Sequence, residues 1–104
     1  MLNTWQSGFE QWLHQSWQKE DKAHDVAHLA RVWQTAQRIM QGSEADPLVV
    51  LTSCYFHDIV NLPKNHPERH LASAQAAEEA RRVLLTEFPD FPSEKIAAVM
   101  HAVH

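Results

Sequence analysis

Residues 46–58 read Asp46-Pro47-Leu48-Val49-Val50-Leu51-Thr52-Ser53-Cys54-Tyr55-Phe56-His57-Asp58. Aspartate followed by proline is typical of a helix start, because the aspartate caps the first turn and proline fits the first helical position. The run that follows is apolar nearly all round and does not alternate with polar residues. The stretch therefore predicts a central, buried helix that ends near Asp58.

Four more helices are expected around this one. They are predicted at 4–19, 25–41, 68–87 and from Ser93 onward, with Ser93 as the cap of the last. Gly42 is a natural stop for the second helix, and prolines within 61–67 and 88–92 separate the later ones. The absence of alternating apolar and polar runs argues against strands. The predicted fold is all-α, a compact bundle of about five helices.

The second and the fourth helix each carry an apolar side that we expect to face the core. On the second helix this side holds Val26, Leu29, Ala30, Trp33, Ala36, Ile39 and Met40. On the fourth it holds Ala74, Ala77, Ala80, Val83 and Leu84. The many alanines of the fourth helix predict a close approach to its neighbour.

Length and composition narrow the class of protein. With 104 residues and 44% hydrophobic content, the chain is long enough for one core, so we expect a single domain over 1–104. No apolar stretch reaches the roughly 20 residues that span a bilayer, and the N-terminus has no signal-peptide pattern. The single cysteine fits a reducing cytoplasm, and the formal charge of -4 argues against non-specific nucleic-acid binding.

The His57-Asp58 pair predicts a metal site. Burying an imidazole beside a carboxylate is costly unless something pairs them, and a divalent ion does so. His28 is the third candidate ligand. It precedes Gly42 by about 21 Å of helix, and His57 follows Asp46 by about 16 Å, at about 1.5 Å per residue. Because a short turn makes these two helices antiparallel, both histidines are expected at one pole of the bundle.

The start of the fourth helix is expected at the same pole. Helix N-termini carry partial positive charge and free N–H groups, which suit a phosphate. Lys64 and Arg69 flank this start and would clamp such a group; the alternative is that both are solvated surface charges. A metal beside a phosphate-binding end indicates metal-assisted hydrolysis.

Two motifs resemble a known family. The first reads His24-Asp25-Val26-Ala27-His28-Leu29-Ala30-Arg31-Val32, and the second is His57-Asp58. Together they resemble the HD-domain superfamily of metal-dependent phosphohydrolases, which is all-helical. The resemblance runs from about residue 5 to residue 104. Similarity to the YedJ-like bacterial subgroup lies in His57–Asn65, Pro67–Arg69 and Ala72–Ala74.

The resemblance implies a set of site residues. His28, His57 and Asp58 would bind one divalent ion (Mn, Mg, Co, Ni, Fe or Zn). Asp25 would not bind the ion itself but would orient His28 or His24. Arg31 would contact phosphate or pair with an acid. The family's last aspartate ligand would follow residue 104, so we expect 1–104 to be the N-terminal part of a longer domain.

The leading hypothesis is hydrolysis of a nucleotide or another small phosphate ester by a metal-activated water. Its catalytic residues are Asp58, Lys64, Arg69 and Arg31. One alternative is a non-catalytic binding or dimerisation module that forms a homodimer, and another is a di-iron oxygenase. A zinc site on the i,i+4 pair His24 and His28 is a weaker reading. The sequence does not decide the roles of five further histidines, His24, His66, His70, His101 and His104.

Overall fold

The computed structural model describes residues 2–16, 22–57, 59, 67 and 71–104, with backbone alone for 22–25. These residues form helices and connecting turns and include no strand. The helices are α1 (Leu2–Ser16), α2 (Lys22–Ile39), α3 (Pro47–Phe56), α4 (Ala72–Glu87) and α5 (Ile96–Val103), with a 3-10 turn at Ser93–Lys95. The all-α prediction is confirmed. Within these ranges, no helix is long and apolar enough to cross a membrane.

The turn between α2 and α3 follows its local sequence. The backbone N–H of Leu48 donates to Asp46 Oδ1 at 3.0 Å, so the predicted cap of α3 is confirmed. Gly42 has φ +77°, a left-handed conformation that favours glycine. A backbone hydrogen bond closes the turn around it: the N–H of Ser43 donates to the Met40 carbonyl at 2.9 Å. Gly42 thus follows the end of α2, and Asp46 caps the start of α3, as predicted.

The predicted capping role of Ser93 is wrong. Ser93 opens a 3-10 turn, and α5 begins at Ile96 without a side-chain cap. The N–H of Ile96 donates to the Ser93 carbonyl, and the N–H of Lys95 donates to the Pro92 carbonyl at 3.0 Å. Those are the two N–H groups that a capping serine would bind. Because the backbone of the tight turn already satisfies them, the hydroxyl is not needed.

The chain divides into two units, 1–55 and 56–104. In the first unit, α1 contacts α2. The ring centroids of Phe9 and Tyr55 lie 6.3 Å apart, which joins α1 to α3. The buried apolar residues of this unit are Phe9, Leu13, Val26, Leu29, Trp33, Leu48, Leu51 and Tyr55. From Leu48 to Phe56, each α3 residue is buried or half-buried, as its apolar composition predicts.

In the second unit, α4 packs against α5. The turn between them buries Phe91, whose N–H donates to the Phe88 carbonyl at 2.9 Å. Alanines make up three of the five buried residues of α4. The buried residues of the two helices are Ala76, Ala77, Ala80, Val83, Leu84, Ile96, Val99 and Val103.

The predicted apolar side of α2 is wrong at its end. Val26, Leu29 and Trp33 are buried as expected, but Ile39 is 78% exposed. At 3.6 residues per turn, Ile39 lies about 110° around the helix axis from the buried stripe. In the last turn of α2, the Ile39 side chain therefore points away from the core against which Val26, Leu29 and Trp33 pack.

Candidate metal and phosphate site

His28 and Arg31 lie one turn apart on α2, where residues three positions apart are neighbours. Both side chains are exposed. Neither makes a hydrogen bond or an ion pair with another residue that the structure describes. An imidazole and a guanidinium at this spacing present a nitrogen donor for a metal and a cation for an anion, side by side.

Both residues line a shallow, open cavity of about 410 Å³ on the surface of α2. Its lining falls into two strips at helical spacing. His28, Arg31 and Thr35 form what we call the polar strip. Val32, Ala36 and Ile39 form what we call the apolar strip. Members of each strip are three or four positions apart, so the strips run side by side along one face of the helix.

The prediction that His57 is buried is wrong. Its side chain is exposed, and it follows directly on Phe56, the buried last residue of α3. Beyond this point the N–H of Ile59 donates to the Phe56 carbonyl at 3.2 Å, which turns the chain. Helix α3 ends at Phe56, one residue before His57, so the His57 imidazole does not lie on the buried side of the helix. The cost of burial therefore gives no argument for a metal at His57.

Three predicted site residues, Asp58, Lys64 and Arg69, lie outside the described residues. So do His66 and His70. The roles proposed for these residues stay predictions.

The histidines of the candidate site belong to different units. His28 is in the first unit and His57 in the second, so their meeting at one pole stays a prediction. The backbone places His24 and Asp25 in the first turn of α2, but their side chains are not described. Among the described residues, no group of three or more His, Cys, Asp or Glu side chains is arranged to hold a metal ion. Because Asp58 is not among them, that finding does not test the predicted ligand set.

A second polar cluster, in the first unit, was not foreseen from the sequence. The Tyr55 hydroxyl donates to Glu10 Oε2 at 2.6 Å and accepts from Gln6 Nε2 at 3.0 Å. Burial, and then the bond to Glu10, raise the pKa of the Tyr55 hydroxyl. The helical spacing of Gln6 and Glu10 is visible in the sequence, but their partner is 45 residues away from Glu10. This cluster fastens α3 to α1.

The single cysteine has the properties of a packing residue. Cys54 is half-buried on α3, and burial raises the pKa of its thiol. The thiolate is the reactive form, so a raised pKa suppresses nucleophilic chemistry. This agrees with the absence of any role for Cys54 in the predicted site.

Comparison with known proteins identifies one family. The sequence model of the HD domain matches residues 25–104 of the 104-residue chain. The match includes α2 from its first turn, the His57-Asp58 pair and both helices of the second unit. Neither the curated proteins nor the solved structures gave a match.

Proposed function

Because the chain belongs to the HD-domain family, we propose that it is a metal-dependent phosphohydrolase acting on a nucleotide or another small phosphate ester. HD domains are typically metal-dependent hydrolases that bind divalent ions. The motif similarities favour a member of the YedJ-like subgroup. One structural observation carries the proposal: His28 and Arg31 stand exposed, one turn apart, inside the matched region.

The donor chemistry fits a divalent ion. Such an ion takes imidazole nitrogens together with a carboxylate oxygen. His28 is exposed at a cavity, and no described residue hydrogen-bonds to it, so its ring nitrogens are open to a ligand. We propose that His28, His57 and Asp58 hold the ion. When bound, the ion supplies a water of lowered pKa and polarises the phosphate.

Arg31 is the proposed phosphate-binding residue. Its guanidinium is always charged and presents a planar fork that matches two phosphate oxygens. Since no described residue pairs with it, binding an anion breaks no described ion pair. In hydrolysis, the water oxygen bonds to phosphorus, the ester P–O bond breaks, and the departing alcohol takes a proton. Arg31 would neutralise the charge that grows on phosphate oxygens, with Lys64 and Arg69 as further proposed cations.

The experiment is phosphate release from p-nitrophenyl phosphate with Mn²⁺, measured for the full chain and three variants. Arg31→Ala should lower kcat/KM by about 10²–10³, the cost of removing one preorganised donor to the transition state. His28→Ala should abolish turnover. Arg38→Ala is the matched control, because Arg38 is an exposed arginine in the last turn of the same helix.

The control should retain wild-type kcat/KM. Equal losses in Arg31→Ala and Arg38→Ala would contradict the role of Arg31. If the wild type releases phosphate neither from p-nitrophenyl phosphate nor from nucleotides with manganese, magnesium, cobalt, nickel, iron or zinc, the phosphohydrolase proposal fails.

A further inference from the structure

The two strips of the α2 cavity have opposite chemistry. The polar strip carries a guanidinium, an imidazole and the Thr35 hydroxyl, and no acidic residue is among the described residues that line the cavity. The polar strip is therefore complementary to an anion. The apolar strip offers no hydrogen-bonding side chain. A ligand that satisfies both strips has an anionic part and an apolar part side by side.

Ile39, at the far end of the apolar strip, indicates how large the apolar part of the ligand is. Ile39 is 78% exposed, whereas the other exposed large hydrophobic residues of the described chain, Leu71 and Leu85, are 41% and 49% exposed. Eight positions separate Arg31 from Ile39, which is about 12 Å along the axis at 1.5 Å per residue. An alcohol of two or three carbons would leave Ile39 in water. A larger apolar group would cover it.

We propose that this cavity selects phosphate monoesters of apolar alcohols, aryl or long alkyl, over those of small polar alcohols. The phosphate lies at Arg31 and the alcohol part lies against Val32, Ala36 and Ile39. This selection rests on the proposed phosphohydrolase function and narrows its substrate class. The apolar strip touches only the leaving alcohol, so it acts on specificity and takes no part in the bond changes at phosphorus.

Binding of non-hydrolysable probes tests this directly. Titration calorimetry on the full chain compares 1-naphthylmethylphosphonate with methylphosphonate, which share the anion and differ in the apolar part. The wild type should bind the naphthyl probe at least about tenfold more tightly, since even one methylene in an apolar pocket discriminates by about that factor. Ile39→Asn should remove most of that preference and leave methylphosphonate affinity unchanged. Arg31→Ala should weaken both probes by the same factor.

Leu85→Asn is the matched control, because Leu85 is an exposed leucine on α4 in the other unit. It should leave both affinities unchanged. Ile39 is mostly exposed, so Ile39→Asn should keep the wild-type circular dichroism spectrum, and Val32→Thr provides a second, nearly isosteric variant. Equal affinity of the wild type for the two probes would overturn the proposal. So would an Ile39→Asn variant that keeps the preference.

Hydrolysis separates this inference from the proposed function. The paired substrates are 1-naphthyl phosphate and glycerol 3-phosphate, compared by kcat/KM. Hydrolysis of both at equal kcat/KM would refute the selection while the phosphohydrolase proposal stands. Ile39-dependent binding of the naphthyl probe without hydrolysis of either ester would refute the phosphohydrolase while the ligand preference stands.

Discussion

Replacing Tyr55 by phenylalanine tests the packing of α3 on α1. The change removes a hydrogen bond donated to the Glu10 carboxylate at 2.6 Å and one accepted from Gln6 at 3.0 Å. A bond to a charged group contributes about 1.5–3 kcal/mol and a neutral one about 0.5–1.5 kcal/mol. Glu10 and Gln6 are half-buried and regain water when the hydroxyl is lost, which returns part of this sum.

We therefore expect Tyr55→Phe to lower the free energy of unfolding by about 2 kcal/mol. For a chain of this size that lowers Tm by roughly 8–16 °C. The assay is chemical and thermal denaturation followed by circular dichroism. In a Glu10→Gln background the same change should cost less, because its charged partner is already gone. A loss below about 0.5 kcal/mol, or full additivity with Glu10→Gln, would contradict this role of the Tyr55 hydroxyl.

The same hydroxyl gives a pH dependence of known sign. Burial raises the pKa of Tyr55 in the folded chain above the ordinary value of 10.0. Below pH 10 both states are protonated and the stabilisation is complete. Above pH 10 the unfolded chain loses the proton first, so the free energy of unfolding falls as pH rises. Tyr55 is the only tyrosine of the chain, so ultraviolet absorbance follows its ionisation directly; midpoints at the same pH for folded and urea-unfolded protein would contradict this.

Three further predictions concern local structure. Asp46→Ala removes the cap on Leu48 and should cost about 1 kcal/mol in urea denaturation, while Asp46→Asn keeps an oxygen acceptor and should cost less. Gly42→Ala should cost about 1–2 kcal/mol by the same assay, from the φ of +77° alone, because an added Cβ would meet no atom within 4 Å. The half-buried Cys54 should react with a disulfide reagent about tenfold more slowly in native than in urea-unfolded protein, because burial raises the thiol pKa; equal rates would contradict that.

The sequence predicts those parts of the fold that depend on local chemistry. Asp46-Pro47 and Gly42 each act on their own turn, and both behave as predicted. Ser93 looks equivalent to Asp46 in sequence but does not cap, because a 3-10 turn satisfies the same N–H groups with backbone carbonyls. Ile39 continues the apolar sequence pattern of α2, but on the helix it lies outside the face that packs against the core.

The candidate site was predictable only in part. The motif containing His28 and Arg31 was evident from residue types and spacing, and the structure adds that both are exposed along one cavity. The sequence could not tell that α3 ends at Phe56, which leaves His57 exposed and not buried. Nor could it pair Tyr55 with Glu10, because that contact depends on how α3 packs against α1.

The predicted metal site can be measured as metal content per chain. Protein purified without chelator is analysed by inductively coupled plasma mass spectrometry, after reconstitution with manganese or nickel if needed, beside His28→Ala, His57→Ala and the control His14→Ala. The prediction is about one divalent ion per chain in the wild type and the control, lost in both other variants. A wild type without metal after reconstitution, or unchanged metal in His28→Ala and His57→Ala, would contradict it.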